Sequence, residues 1–214
     1  MASEVDVCNL ALAHLADEAA VSSISPPDGS AQADHCKRFY PIARDALLEI
    51  FAWPFATTRV ALSLTTGEPA GAWEYEYAMP SDVARVLSIN VDGVLDDTAS
   101  QDYVIETNSD GSAVILTNTP DAIMRYTRRV TDTTKFSPLF VTTLSWLLAS
   151  FLAGPITKSK QDAAAAYQRF LTELAKSSTS AANQMQNNPI HTPQWMAARG
   201  ITNNPYLAPG RITR

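Results

Sequence analysis

The chain has little cysteine, little histidine and no basic excess. Two cysteines, Cys8 and Cys36, in 214 residues exclude a secreted scaffold stapled by disulfides. Three histidines, His14, His35 and His191, leave few ligands for a metal. Pairing Cys8 with His14 and His35 with Cys36 gives no zinc-finger spacing, and neighbours on a helix point about 100° apart. Sixteen Lys and Arg against 22 Asp and Glu set the net charge at −6, the opposite of what a duplex-DNA binder needs to neutralise phosphates. Eight glycines and 13 prolines rule out collagen-like and low-complexity chains. Glycine-rich phosphate loops, HExxH, GxSxG and EF-hand patterns are all missing from the sequence. Neither a catalytic residue nor a metal or cofactor is expected. Residues 1–6 show no basic n-region and no apolar h-region, so no signal peptide is expected.

What is present is ordinary globular usage, 46% hydrophobic and 18% charged, in a chain long enough to bury a core. One stretch stands out. Between Lys135 and Lys158 lie 22 residues without a charge. That length could span a bilayer, but Gly154-Pro155 is expected to limit the unbroken helix to Pro138–Ala153, about 16 residues against the roughly 17–25 of a span. The other reading is a helix apolar all round and covered by protein, from its own chain or from neighbouring subunits.

Periodicity places helices at both ends and strands between. Residues 3–16 read as a first helix, capped by Ser3 with Asp6 three residues on, with Val5, Cys8, Ala11, Leu12 and Leu15 on one face. Ser25-Pro26-Pro27-Asp28-Gly29 marks a loop. A second helix is expected from Ser30 to about Trp53, striped by Ala33, Cys36, Tyr40, Ala43, Leu47 and Ile50, with a kink or restart at Pro41. Six strands are expected in residues 57–130, forming one small antiparallel sheet or barrel. They fall around Thr58–Leu64, Trp73–Tyr77, Val83–Val91, Tyr103–Ile105, Ala113–Leu116 and Ala122–Arg129. The last is read as carrying edge or rim charges at Arg125, Arg128 and Arg129. Ser137-Pro138 opens the uncharged helix. A fourth helix from about Lys158 to near Asn183 is expected to bury Ala163, Tyr167, Phe170, Leu171 and Leu174.

The fold class expected is therefore α+β. A discontinuous four-helix bundle (1–56 and 131–186) carries an inserted antiparallel β domain (57–130) and an extended C-terminal tail (187–214). The tail holds four prolines, three arginines and no acid; its composition fits docking onto a partner as well as a disordered end. Cys8 and Cys36 read as a core contact, with a reactive or bridged pair as the alternative. Asp96, Asp97 and Asp102 read as solvated loop acids.

Several short motifs recur in a familiar order: Cys8-Asn9-Leu10-Ala11-Leu12; Tyr40-x3-Arg44-Asp45-x-Leu47-Leu48; Trp53-Pro54-Phe55-Ala56. They continue with Trp73-x-Tyr75-x-Tyr77-x-Met79-Pro80, then Asp82 and Arg85-Val86, Arg125-Tyr126, Phe136-x-Pro138, and Trp195-Met196-Ala197-Ala198-Arg199. Taken together the chain resembles the head-to-tail adaptor family of tailed bacteriophages, called tail tubular protein A in short-tailed phages. The resemblance covers residues 8–199.

It implies a structural virion protein, assembled in the host bacterial cytoplasm and lodged at the head–tail junction. The expected assembly is a homo-oligomeric ring of twelve, docked on the portal protein and followed by a tail nozzle, stopper or tail-tube protein. Portal contacts are expected from Trp195, Met196, Arg199, Tyr206, Leu207, Arg211 and Arg214. Packing between subunits is expected from Leu139, Phe140, Trp146, Leu147 and Phe151. DNA would pass transiently and without specificity, and Asp96, Asp97, Asp102, Glu106 and Asp110 are candidates for an acidic channel wall that does not hold it. The rival expectations are a soluble enzyme with an unfamiliar site and a membrane-anchored helical protein.

Overall fold

The computed structural model describes residues 2–67, 69, 71–91 and 100–185. The chain divides after Gln184, and every helix and strand named below belongs to residues 1–184. Among the described residues the fold is α+β, with four α-helices, a short 3-10 helix at Thr133–Lys135 and two antiparallel sheets. The expected portal-contact residues, and Asp96 and Asp97, lie outside the described residues.

Helix α1 spans Glu4–His14, opened by the expected capping box: the Asp6 N–H donates to Ser3 Oγ at 3.1 Å, and the Ser3 N–H donates to Asp6 Oδ2 at 2.8 Å. This satisfies two donors that a helix start leaves without partners. The loop after it is held by side chains acting as backbone substitutes. Asn9 takes the Val21 N–H on Oδ1 at 2.8 Å and gives Nδ2–H to the Val21 carbonyl at 3.0 Å. Asp28 accepts from Ser30 Oγ and from the Ser22 and Ser30 N–H groups.

Helix α2 spans Ala31–Ile50 without interruption, capped by Ser30. The restart expected as one alternative near Tyr40 is absent: Pro41 lies on the exposed side, where water can serve the carbonyl that loses its helical donor. The turn after α2 is an aromatic corner. Trp53, 1% exposed, donates Nε1–H to the Leu47 carbonyl at 2.8 Å, and its ring meets Phe51, Phe55 and Phe140.

Strands β1 (Thr57–Ala61), β2 (Tyr75–Ala78), β3 (Val83–Asn90), β4 (Tyr103–Thr107), β5 (Ala113–Thr117) and β6 (Ile123–Arg128) follow. They form two three-stranded sheets, β1-β6-β3 and β2-β5-β4, in place of one. The sheets share a core in which Tyr77 and Ile115 of one lie with Ile89, Met124 and Tyr126 of the other. The β4–β5 hairpin turns around Gly111 at φ +80°, a backbone that favours glycine. Strand β6 is central in its sheet, so of the two readings of its arginines the edge one does not hold, while Arg128 and Arg129 sit half-exposed at its end, as rim charges do.

Helix α3 spans Pro138–Thr157, capped by Ser137. It passes through Gly154-Pro155 and stops at Lys158, whose φ of +54° ends the helical path. Pro155 falls in the last turn, so it removes at most one hydrogen bond near an end that frays anyway. The expected 16-residue limit is thereby corrected to 20 residues. Helix α3 is long and apolar enough to cross a membrane by length and composition, yet half of its most apolar window is buried within the fold. Helices α1 and α2 cover it on some sides and α4 (Lys160–Gln184) on another. Phe140, Leu144, Leu148 and Leu152 are completely buried in this core.

Helix α4 buries Ala166, Phe170, Ser177 and Ala181. The expected face was wrong in two members, since Tyr167 and Leu171 stay 44% and 40% exposed. Small residues at the seam let α4 lie close to α3, and Thr143 Oγ1 and Ser177 Oγ hydrogen-bond across it at 3.0 Å.

Candidate functional site: surfaces and the joint between helices and sheets

The helical and β parts meet at a charged joint built from α2, the β2–β3 turn and the end of β6. Arg44, only 8% exposed, donates from Nε and Nη2 to Asp45 Oδ1 at 2.9 and 2.8 Å. The other oxygen of Asp45 lies 3.4 Å from Arg129 Nε. Asp82 receives Arg128 Nε at 3.1 Å and the Tyr126 hydroxyl at 3.2 Å. Backbone bonds run alongside, from the Arg128 N–H to the Ala56 carbonyl at 2.8 Å and from the Arg129 N–H to the Asp82 carbonyl at 2.7 Å. Arg85 Nη1 adds a donor to the Ile50 carbonyl at 3.2 Å. Arg128 and Arg129 are thus clasps holding a central strand, and the exposed pairs among them contribute little individually. The buried one differs. Asp45→Ala leaves the Arg44 guanidinium without its carboxylate, and the expected cost is about 1–3 kcal/mol, read as a lower urea midpoint with unchanged slope.

His14 closes α1 in a second polar arrangement. Its ring stacks on Trp146 with centroids 3.7 Å apart and planes 6° from parallel. Ser145 Oγ spends its proton on the Thr142 carbonyl at 2.8 Å, so it accepts from His14 Nε2–H across 3.1 Å. Burial pushes the imidazole below the ordinary histidine range. The unfolded chain therefore binds this proton more readily than the folded one. The stabilisation is complete above about pH 6.5 and declines as pH falls through the unfolded and then the folded value. Thermal melts from pH 7.5 to 5 are expected to show a downward slope that His14→Gln flattens.

The residues expected to pack between subunits separate into two groups. Phe140 and Leu147 are 0% and 4% exposed in the helical core, so they present no surface to a neighbour. That corrects the expectation for both, and the reason is that α3 is covered by the other three helices. Leu139 is 41% exposed, while Trp146 and Phe151 are half-buried against His14 and Phe39. Of the acidic candidates, Asp102, Glu106 and Asp110 are all exposed and lie along one hairpin. Asp102 and Glu106 fall on the same face by strand alternation, and Asp110 sits in the turn beyond, its N–H bound by Asn108 Oδ1.

Further exposed apolar side chains are Ile42 and Ile50 on the outer side of α2 and Val104 and Ile105 on β4. Two open depressions of about 570 Å³ each occur. One is lined by Ala46, Glu49, Ile50 and Arg85, the other by residues such as Thr65, Met79, Pro80 and Asn108. Among the described residues no three of His, Cys, Asp and Glu gather as metal ligands. Cys8 and Cys36 are unbridged and completely buried.

Sequence reasoning missed the Asp45–Arg129 and Asp82–Arg128 pairs and the His14–Ser145 bond. The only signal for the first was the presence of Arg44-Asp45 and Asp82 within the recurring motifs. Compared with protein-family models and with curated proteins, the chain matches none.

Proposed function

We propose that this chain is the subunit of a head-to-tail adaptor ring in a tailed bacteriophage, a structural protein without catalytic chemistry. In this reading twelve copies sit on the portal, bind it through the C-terminal segment and pass the head on to a nozzle, stopper or tail tube. The observation that carries the reading is where the motif residues meet. Arg44-Asp45, Trp53-Pro54-Phe55, Asp82, Arg85 and Tyr126, far apart in sequence, together build the joint that fixes the β part against the helices. A ring subunit needs such a joint held at one angle, because a heterologous contact closes a ring only at the right rotation. The exposed Leu139, Ile42 and Ile50 give apolar area for a neighbouring copy. Asp102, Glu106 and Asp110 give the channel an acidic hairpin from which DNA gains no counterion release.

Peptide mass spectrometry of purified phage particles tests the proposal. Peptides from this chain, in about one-to-one ratio with those of the portal, are expected; a particle without them excludes the role.

A further inference from the structure

We infer that the open edge of β1 in one copy of this chain pairs in parallel with the open edge of β4 in the next, joining neighbouring subunits through a shared sheet. Of the four outer strands of the two sheets, β2 and β3 have their edges partly covered by this chain. Along β2 the Ser63 carbonyl accepts from the Ala78 N–H and the Thr65 N–H donates to the Glu76 carbonyl, both at 2.9 Å; beside β3 the Gln101 N–H donates to the Ile89 carbonyl at 2.8 Å. Among the described residues, β1 and β4 pair along one side only. An open edge is a template for another strand, and β4 adds the exposed Val104 and Ile105, one on each face.

The backbone decides how the two edges meet. The Leu62 N–H donates to the Ala122 carbonyl, so the even-numbered residues of β1 turn their backbone groups to β6, and those of Thr57, Arg59 and Ala61 point outward. The Asn108 N–H donates to the Ser112 carbonyl, so on β4 the groups of Tyr103, Ile105 and Thr107 point outward. Antiparallel pairing sets outward residues opposite one another. Arg59 and Ala61 lie on the face away from the core that the sheets share, whereas Tyr103 and Ile105 lie on the core face, so that pairing turns one core face over. Parallel pairing sets outward residues opposite inward ones and keeps both core faces on one side. With Arg59 opposite Glu106, the Ile105 N–H meets the Thr57 carbonyl, the Arg59 N–H meets the Ile105 carbonyl, the Thr107 N–H meets the Arg59 carbonyl, and the Ala61 N–H meets the Thr107 carbonyl. This register also sets the one charge of β1 against the one charge of β4, of opposite sign, and lays Ile105 beside Thr58 and Val60. Asp102 and Asp110, past the ends of the ladder, stay on the hairpin surface. Pairing two different edges is heterologous and repeats from copy to copy. Its closure at twelve copies rests on the proposed ring; the pairing itself does not.

Disulfide trapping between full-length chains supplies the test. Chains carrying Arg59→Cys and chains carrying Glu106→Cys, both altered at exposed positions, are mixed at millimolar concentration and mildly oxidised. The linked dimer should exceed that from either variant alone by at least about tenfold, and digestion should place the link between positions 59 and 106. Thr58→Cys mixed with Ile105→Cys should link in the same way. Ala61→Cys mixed with Glu106→Cys should not, because a shift of two residues, about 6.6 Å along a strand, carries the Cα pair beyond the roughly 7 Å that a disulfide spans. Mixtures that stay unlinked, a dimer formed by one variant alone, or linkage that favours the Ala61→Cys mixture would each overturn the inference. None of these outcomes touches the ring reading, which peptide mass spectrometry of the particles decides by itself.

Discussion

Trp53→Ala is expected to cost about 3–5 kcal/mol, a large share of the roughly 5–15 kcal/mol that keeps a domain folded. Two losses combine. The indole is 1% exposed and its removal opens a cavity that Phe51, Phe55 and Phe140 cannot fill from their positions around it. The Leu47 carbonyl loses the donor that ends α2. The Trp53 carbonyl, which accepts from both the N–H and the hydroxyl of Thr57 at the start of β1, belongs to the main chain and stays in place. The melting temperature should fall by roughly 6–20 °C. Trp53→Phe separates the contributions: it keeps most of the ring packing and loses the hydrogen bond, for an expected cost of about 1–2 kcal/mol. Urea titration of the three proteins measures both steps. Equal stability of Trp53→Ala and the parent would contradict the corner's assigned role.

Shortening the chain to end at Gln186 should leave folding in place and abolish assembly. Every described residue of the two hydrophobic cores lies within residues 1–184, and the shortened chain retains them all. The lost segment contains the aromatic and arginine side chains proposed to bind the portal, Trp195, Tyr206, Arg199, Arg211 and Arg214. Residues of these types carry most of the energy in protein interfaces. Trp195→Ala alone should weaken portal binding by about 2 kcal/mol, or roughly 30-fold. Complementation of a phage lacking its own copy should then yield filled heads without tails. Normal infectious particles from the shortened chain would remove the C-terminal segment from the account.

Much of the architecture was legible because local chemistry fixed it. Ser3 and Asp6 announce their capping box, Ser137-Pro138 announces the start of α3, and Asn108–Gly111 announces the β4–β5 turn. Each signal acts within four residues of itself. The errors came where distant neighbours decide. Arg125, Arg128 and Arg129 look like edge or rim charges; β6 is central, and Asp82 and Asp45, more than forty residues away, pair with the two at its end. Tyr167 and Leu171 look like core by their apolar character. The buried side of α4 holds small Ala166, Ser177 and Ala181 beside the expected Phe170. The candidate surfaces were less legible than the fold. Hydropathy ranked Phe140 and Leu147 beside Leu139 as contacts for a neighbour, and only the placement of α1, α2 and α4 shows that two of the three are already covered.

The most direct measurement is electron cryomicroscopy of intact virions, with the chain fitted into density at the portal vertex. The account predicts a twelvefold ring of this α+β subunit directly beneath the portal, with the C-terminal segment on the portal surface and the hairpin bearing Asp102, Glu106 and Asp110 toward the channel. A vertex whose ring is built from a different polypeptide, with this fold nowhere in the particle, would contradict it.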